Sequence, residues 1–227
     1  MLALLKSIIK KLFPSLYKQL INFKILANYF GQYKSIKEGR SVNAQGMPVP
    51  WYTYPCIEYL ERFNFKNKSI FEFGTGFSSL FWANRAKEIA SVEHNKEWFE
   101  LISSIREKNQ KIIYEEDKDK YIKSLSNQNK KFDIIIVDGV WREGCAKEAI
   151  RYLNEGGFII LDNSDLNIDI SKMLRESNFL QIDFSGFGPM NEYCWTTSIF
   201  LRAPNAMQQD FSNKMPIGGI GKELNET

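Results

Sequence analysis

The sequence predicts an α/β protein with a doubly wound, mostly parallel sheet of about seven strands, preceded by a helical extension. Three observations carry that expectation. From Ser69 onward, short apolar runs alternate with stretches of helical periodicity, the pattern of strands joined by crossover helices. The run Ile134-Ile-Ile-Val137 is apolar throughout, as a strand covered on both faces must be. The segment Ser69-Ile-Phe-Glu-Phe-Gly-Thr-Gly-Phe-Ser78 reads as a strand, a glycine turn and a helix start. Such an element presents a ligand site at the carboxyl edge of the sheet.

The totals bound the answer. A chain of 227 residues suits one such domain with an extension. Hydrophobic residues at 44% and aromatics at 14% supply a packed core. A net charge of +3 among 25% charged residues lacks the strongly basic face that nucleic acid requires, so no nucleic-acid partner is expected. Cys56, Cys145 and Cys194 form no C-x-x-C pair, which leaves a zinc ribbon or disulfide framework unsupported and predicts reduced thiols in a cytoplasmic protein. No apolar run approaches the roughly 20 residues of a membrane-spanning helix. At the N-terminus, Lys6, Lys10 and Lys11 fall within the apolar stretch, unlike the charge-first order of a secretory signal.

Residues 1–45 are basic, aromatic and helical in pattern, interrupted at Pro14. Leu4, Ile8, Ile9 and Leu12 share one helical face. That face either packs on its own domain or on a twin subunit in a homodimer, or it rests on an anionic membrane through residues 1–20. The joint Gly46–Pro55 is held extended by its X-Pro steps, and Trp51, Tyr52 and Tyr54 cover apolar surface. A helix over Cys56–Phe63 follows. Strands are predicted at Ser69–Phe73, Ile89–Glu93, Lys111–Tyr114, Phe132–Val137 and Gly157–Leu161. Helices are predicted at Ser78–Arg85, Lys96–Lys108, Asp119–Leu125, Glu143–Leu153 and Ile168–Ser177. Leu180–Phe184 and Trp195–Leu201 flank the loop Ser185–Met190 and pair as a late hairpin. Residues 46–203 thus form the ligand-binding domain, and the polar tail 204–227 is loosely ordered.

The chemistry gathers at the predicted carboxyl edge. In Glu72-Phe-Gly74-Thr75-Gly76-Phe-Ser78-Ser79, the glycines allow close backbone approach to a ligand, and Ser78 or Ser79 caps the following helix. A dinucleotide fingerprint places glycine where Ser79 stands. That difference, with an acid at Glu72, disfavours a nicotinamide enzyme and favours a cationic ligand. Glu93, ending the second strand, is placed to accept ribose hydroxyls. His94 beside it is either an adenosine-side contact or a partly buried structural histidine. Asp117, in the acidic run Glu115–Asp117, either meets an adenine amino group or faces water. Asp138 ends the fourth strand and Asp162-Asn163 the fifth. Together they offer three oxygen ligands to a divalent cation such as magnesium. Alternatively, Asp138 serves the ligand and Asp162-Asn163 forms an ordinary turn.

Glu72-Phe-Gly-Thr-Gly76, the strand-end Glu93 and Val137-Asp138-Gly together resemble class I S-adenosylmethionine-dependent methyltransferases over about residues 50–202. The resemblance implies a Rossmann-like sheet with an antiparallel last strand and S-adenosyl-L-methionine as cofactor. On that basis, the cofactor residues are Glu72, Gly74, Thr75, Gly76, Ser78, Glu93, His94, Asp117 and Asp138. Asp138 with Asp162 and Asn163 is similar to the metal triad of catechol-type O-methyltransferases. The lysine base of that group is replaced by Trp141, Arg142 and Glu143. Pro50–Pro55, Arg142 and Gly186–Pro189 ahead of Trp195–Phe200 look like bacterial methyltransferases of sugar and polysaccharide pathways. The expected reaction is in-line methyl transfer to an oxygen of a small-molecule or saccharide acceptor. Asp138 would take the proton or help hold a cation, and Arg142 would bind an acidic group on the acceptor. The rivals are a nicotinamide-dependent oxidoreductase or epimerase, and a non-catalytic module tethered to membrane.

Overall fold

The computed structural model describes residues 10–202. A seven-stranded sheet runs in the order β3-β2-β1-β4-β5-β7-β6, with β1 Ser69–Phe73, β2 Glu88–Glu93, β3 Gln110–Tyr114, β4 Phe132–Val137, β5 Leu153–Leu161, β6 Phe179–Gly186 and β7 Trp195–Arg202. The first five strands are parallel to their neighbours. β7 runs antiparallel to both β5 and β6, so the late hairpin forms as expected. The order reverses between β1 and β4, and ligands bind at such a switch point.

β4 shows why its sequence has no polar alternation. Ile134 and Ile136 pack on one face with Leu60, Phe81 and Trp82. Ile135 and Val137 pack on the other with Tyr121, Ala146 and Leu174. Helices from both flanks supply these partners: α3 Tyr54–Leu60 and α4 Phe77–Ala83 on the first face, and α6 Lys118–Lys123, α7 Arg142–Tyr152 and α8 Ile168–Glu176 on the second. Between β2 and β3 lies α5 Lys96–Ser104. Its start is fixed by Asn95, whose Oδ1 accepts the Trp98 amide at 2.9 Å. The sequence predicts this helix to Lys108, four residues beyond its observed end.

The extension comprises α1 Pro14–Lys24, a π-helical turn Ile25–Tyr29 and α2 Gln32–Glu38. The chain breaks at Phe13, before Pro14, as the proline requires. No residue of α1 is buried, so this stretch does not pack on its own domain. Leu4, Ile8 and Ile9 of the expected apolar face lie outside the described residues. From α2 onward the chain is tied to the sheet domain: Gln32 Nε2 donates to the Gly188 carbonyl at 2.9 Å, and Ser35, Val42 and Val49 are buried. Among the described residues, no helix is long and apolar enough to cross a membrane. Cys56, Cys145 and Cys194 are unpaired.

Two glycines hold the switch point together. Gly74 has φ +95°, a conformation that costs other residues roughly 1–2 kcal/mol. Gly139 packs against it, and a Cβ there would lie 2.9 Å from the Gly74 nitrogen and 3.0 Å from the Phe73 carbonyl carbon, and would strike the Tyr121 hydroxyl. Gly139→Ala is therefore expected to destabilise by about 1–3 kcal/mol, lowering Tm by roughly 3–10 °C. Differential scanning calorimetry checks this, and an unchanged Tm would contradict the close approach.

Candidate functional site

The glycine turn after β1 is held by its serine. Ser79 is fully buried; its hydroxyl accepts the Gly76 amide at 3.1 Å and meets the Thr75 hydroxyl at 2.8 Å. It also donates to the Glu72 carboxylate through a short hydrogen bond. The residue that breaks the dinucleotide fingerprint is thus the one that anchors the acid preceding the turn. Glu72 is 1% exposed. Burial pushes its pKa up to about 8, with hydrogen bonds from Ser78 and Ser79 opposing and the charges of Asp138 and Glu93 adding to the rise.

At the end of β2, Glu93 is buried and clasps the turn. One oxygen accepts the Thr75 amide at 3.1 Å; the other accepts the His94 and Asn95 amides at 2.9 and 2.8 Å. His94 Nδ1 lies 3.0 Å from the same oxygen. Each carboxylate oxygen has about two acceptor positions, so the oxygen that takes only the Thr75 amide keeps one open to a ligand. Trp98 closes this side, its Nε1 donating to the Thr75 carbonyl at 2.5 Å.

The β4 and β5 ends meet at Arg142. Asp138 is half-buried; burial raises its pKa to about 6, against the lowering effect of the adjacent guanidinium. The Arg142 group makes five contacts: the Gly139 carbonyl at 2.9 Å, the Asp162 carbonyl at 2.5 Å, the Asn163 side chain at 3.3 Å, and the Asp138 carbonyl and carboxylate at 3.2 and 3.1 Å. A guanidinium has five N–H donors, so all are used within the chain. Asp162 is buried, and its carboxylate accepts from Trp195 Nε1 at 3.0 Å and the Thr197 hydroxyl at 2.5 Å. Burial and the charge of Asp138 hold its pKa well above the usual carboxylate range.

These contacts correct two expectations. Asp138, Asp162 and Asn163 converge, but a guanidinium sits among them where the divalent cation was expected, and one oxygen of Asp162, Oδ1, is taken by Trp195 and Thr197. The donor set does not fit a metal, and no group of three or more His, Cys, Asp or Glu suited to one occurs among the described residues. Nor is Arg142 free to bind an acidic acceptor group. It braces Asp138 and the two strand ends. A third expectation also changes: Asp117 lines neither cavity. Its side chain accepts the Lys120 amide at 3.0 Å and caps α6, the usual role of an aspartate there.

Two cavities flank this edge. The smaller, about 310 Å³, is walled by Glu72, Gly74, Glu93, His94 and Val140. The larger, about 390 Å³, is walled by Arg40, Trp51, Asn163, Asn191, Tyr193 and Trp195 among others. Thr75, Ser78, Trp98 and Asp138 belong to both. Each volume falls in the range of small-ligand sites, roughly 300–1,000 Å³. Glu72, Glu93, Asp138 and Asp162 line the pair, while Arg40 turns to Glu38 at 2.8 Å, so the edge is rich in carboxylate.

A Staphylococcus aureus protein provisionally assigned as a caffeoyl-CoA O-methyltransferase superposes with a TM-score of 0.53 at 19% identity, over 82% of this chain and 98% of that one. A methyltransferase from Pyrococcus furiosus gives 0.50 at 17% identity, over 78% and 99%. The chain has the class I methyltransferase fold. No protein-family model and no curated protein sequence matches it. Within that fold, the sequence did not assign the parts that Ser79, Tyr52 and Trp98 play at the site. Ser79 was visible as the departure from glycine. Tyr52 was read as apolar cover, but it is fully buried, and its pKa is raised by burial and by the charges of Glu72, Asp138 and Asp162. Trp98 gave no signal, because only the superposition of α5 on the turn brings it there.

Proposed function

We propose that the chain is an S-adenosylmethionine-dependent methyltransferase acting on an oxygen of a small-molecule or sugar-type acceptor. One observation carries this reading: a buried carboxylic acid, Glu72, sits at the glycine turn of a methyltransferase fold among further carboxylates, with the cation nearest them, Arg142, already spent. A ligand bearing a sulfonium and an ammonium group satisfies such an edge. The residues fit: Glu72 and Asp138 for the charged end, the open acceptor position of Glu93 for the ribose. When bound, S-adenosylmethionine supplies an electrophilic methyl carbon.

The chain's own contribution is placement and proton handling. The larger cavity holds the acceptor between Trp51, Tyr193 and Trp195, with Asn163 and Asn191 offering polar contacts. Trp51 Nε1 donates to Asn191 Oδ1 at 2.8 Å, closing one wall. Asp138, shared by both cavities, accepts the proton of the acceptor hydroxyl. A base with a pKa of about 6 is mostly ionised at neutral pH while still able to take a proton. Arg142 keeps that carboxylate aimed, and alignment of the reacting groups lowers the barrier.

Calorimetric titration with S-adenosylmethionine tests the reading, with nicotinamide dinucleotides as the control. Absence of heat from the former, or a Tm rise with the latter alone, would overturn it. Glu72 adds a sign to the test. Its raised pKa means its stabilising contribution is full below about 4.5 and is lost as pH rises toward about 8. A cationic ligand favours the ionised form, so affinity should tighten from pH 6.5 to 8.5 and binding should release protons. Glu72→Gln is therefore expected to raise Tm at pH 8 while weakening the cofactor and flattening that pH dependence. A lower Tm with unchanged affinity would show that Glu72 serves folding alone.

A further inference from the structure

We infer that α1 docks the protein on an anionic lipid surface, lying in the interface plane rather than crossing it. The helix has no buried residue, although a helix of a globular protein normally hides one face. Phe13, Leu16, Leu20 and Phe23 recur at a 3-4-3 spacing and so share a face. All four are 49–66% exposed. Ser15, Lys18 and Asn22 lie on the opposite side, and Lys24 ends the helix. The π-helical turn that follows adds exposed Ile25 and Tyr29.

Charge selects the occupant. The first acidic residue of the chain is Glu38; seven lysines and no arginine precede it. The whole chain carries +3, so residues 38–227 carry −4 against +7 in the first 37. An apolar stripe with Lys18 opposite it, Lys24 at the helix end and no acid is a composition that binds anionic headgroups. A second copy is a poorer partner. Self-complementary pairing of two such helices would juxtapose lysine-bearing elements with no carboxylate on either to offset them. α2 ends at Glu38, and Gly39, Arg40 and Ser41 line the larger cavity. The arm therefore leads into the wall of the site, which brings a membrane-borne acceptor within reach of the domain.

Flotation of the full chain with vesicles of phosphatidylglycerol and phosphatidylcholine tests this. The wild type should float with vesicles containing phosphatidylglycerol and stay behind with pure phosphatidylcholine, and 0.5 M salt should release it. Leu16→Glu with Leu20→Glu should cut partitioning by at least about tenfold and leave Tm unchanged, since both side chains already face solvent. Lys11→Glu with Lys18→Glu should cut it by roughly fivefold or more per lysine. Equal binding to neutral vesicles, or no loss in either variant, would overturn the inference. So would a wild-type dimer in light scattering that Leu16→Glu/Leu20→Glu turns into monomer without any vesicle binding. None of these outcomes depends on the cofactor, so failure here leaves the proposed methyl transfer to its own test.

Discussion

Arg142→Met is expected to abolish the proposed methyl transfer and to destabilise the protein by about 1–3 kcal/mol, the cost of leaving acceptors without their donor in a pair that is only partly buried. Five acceptors would lose their donor at once: the carbonyls of Asp138, Gly139 and Asp162, the Asp138 carboxylate and the Asn163 side chain. The Asp138 pKa, now lowered by the guanidinium, would climb above about 6, leaving the base partly protonated at neutral pH. Arg142→Lys restores charge but only three donors in a different geometry, so it should recover part of the stability and little of the rate. Thermal denaturation with single-turnover methyl transfer measures both. The same residue decides the metal question. Exhaustive chelation should leave wild-type activity intact, and added magnesium should not rescue Arg142→Met. Loss of wild-type activity on chelation would mean that a cation, rather than Arg142, organises the strand ends.

Asp138→Asn is expected to lower kcat by roughly 10²–10⁴, the range for loss of a positioned general base, with a smaller effect on cofactor affinity. The wild-type rate should rise with pH through about 6, where Asp138 ionises, and the variant should lack that limb. A second readout separates base from mere neighbour. The Asp138 charge contributes to the rise of the Glu72 pKa, so its removal should move the pH midpoint of cofactor binding below 8. A variant with full activity and an unshifted binding profile would remove Asp138 from the site.

Much of the sheet was readable because its elements follow from local rules. The unbroken apolar run of β4 reported two covered faces, and the glycines at 74 and 76 reported a turn with close backbone approach. Glu72, Glu93, Asp138 and Asp162 could be placed on one edge because each ends a strand, and parallel strands deliver their ends to the same side. What failed to carry over were statements about what those side chains touch. Asp117 sits in an acidic run, and nothing in the run says whether its carboxylate meets a ligand or caps a helix. Asp138, Asp162 and Asn163 satisfied a ligand count for a cation. The α7 start was needed to show that Arg142 folds back into their midst. Trp141, which precedes it, takes a left-handed conformation at φ 51°, rare for a large residue. It is held by edge contacts with Tyr121 and His94 at ring separations of 5.2 and 6.0 Å.

Sequence by itself determined the alternation of strands and helices, the glycine turn and the set of acids at the sheet edge. These depend on periodicity and backbone freedom, which are properties of short stretches of chain. Tertiary structure alone decided that Ser79 tethers Glu72, that Arg142 stands in the place of a metal, and that α1 leaves its apolar face uncovered. The first joins residues seven apart across the glycine turn, the second reaches from the α7 start to the end of β5 some twenty residues on, and the third is a missing partner; which side chains meet across a turn or a fold is not written in local residue order.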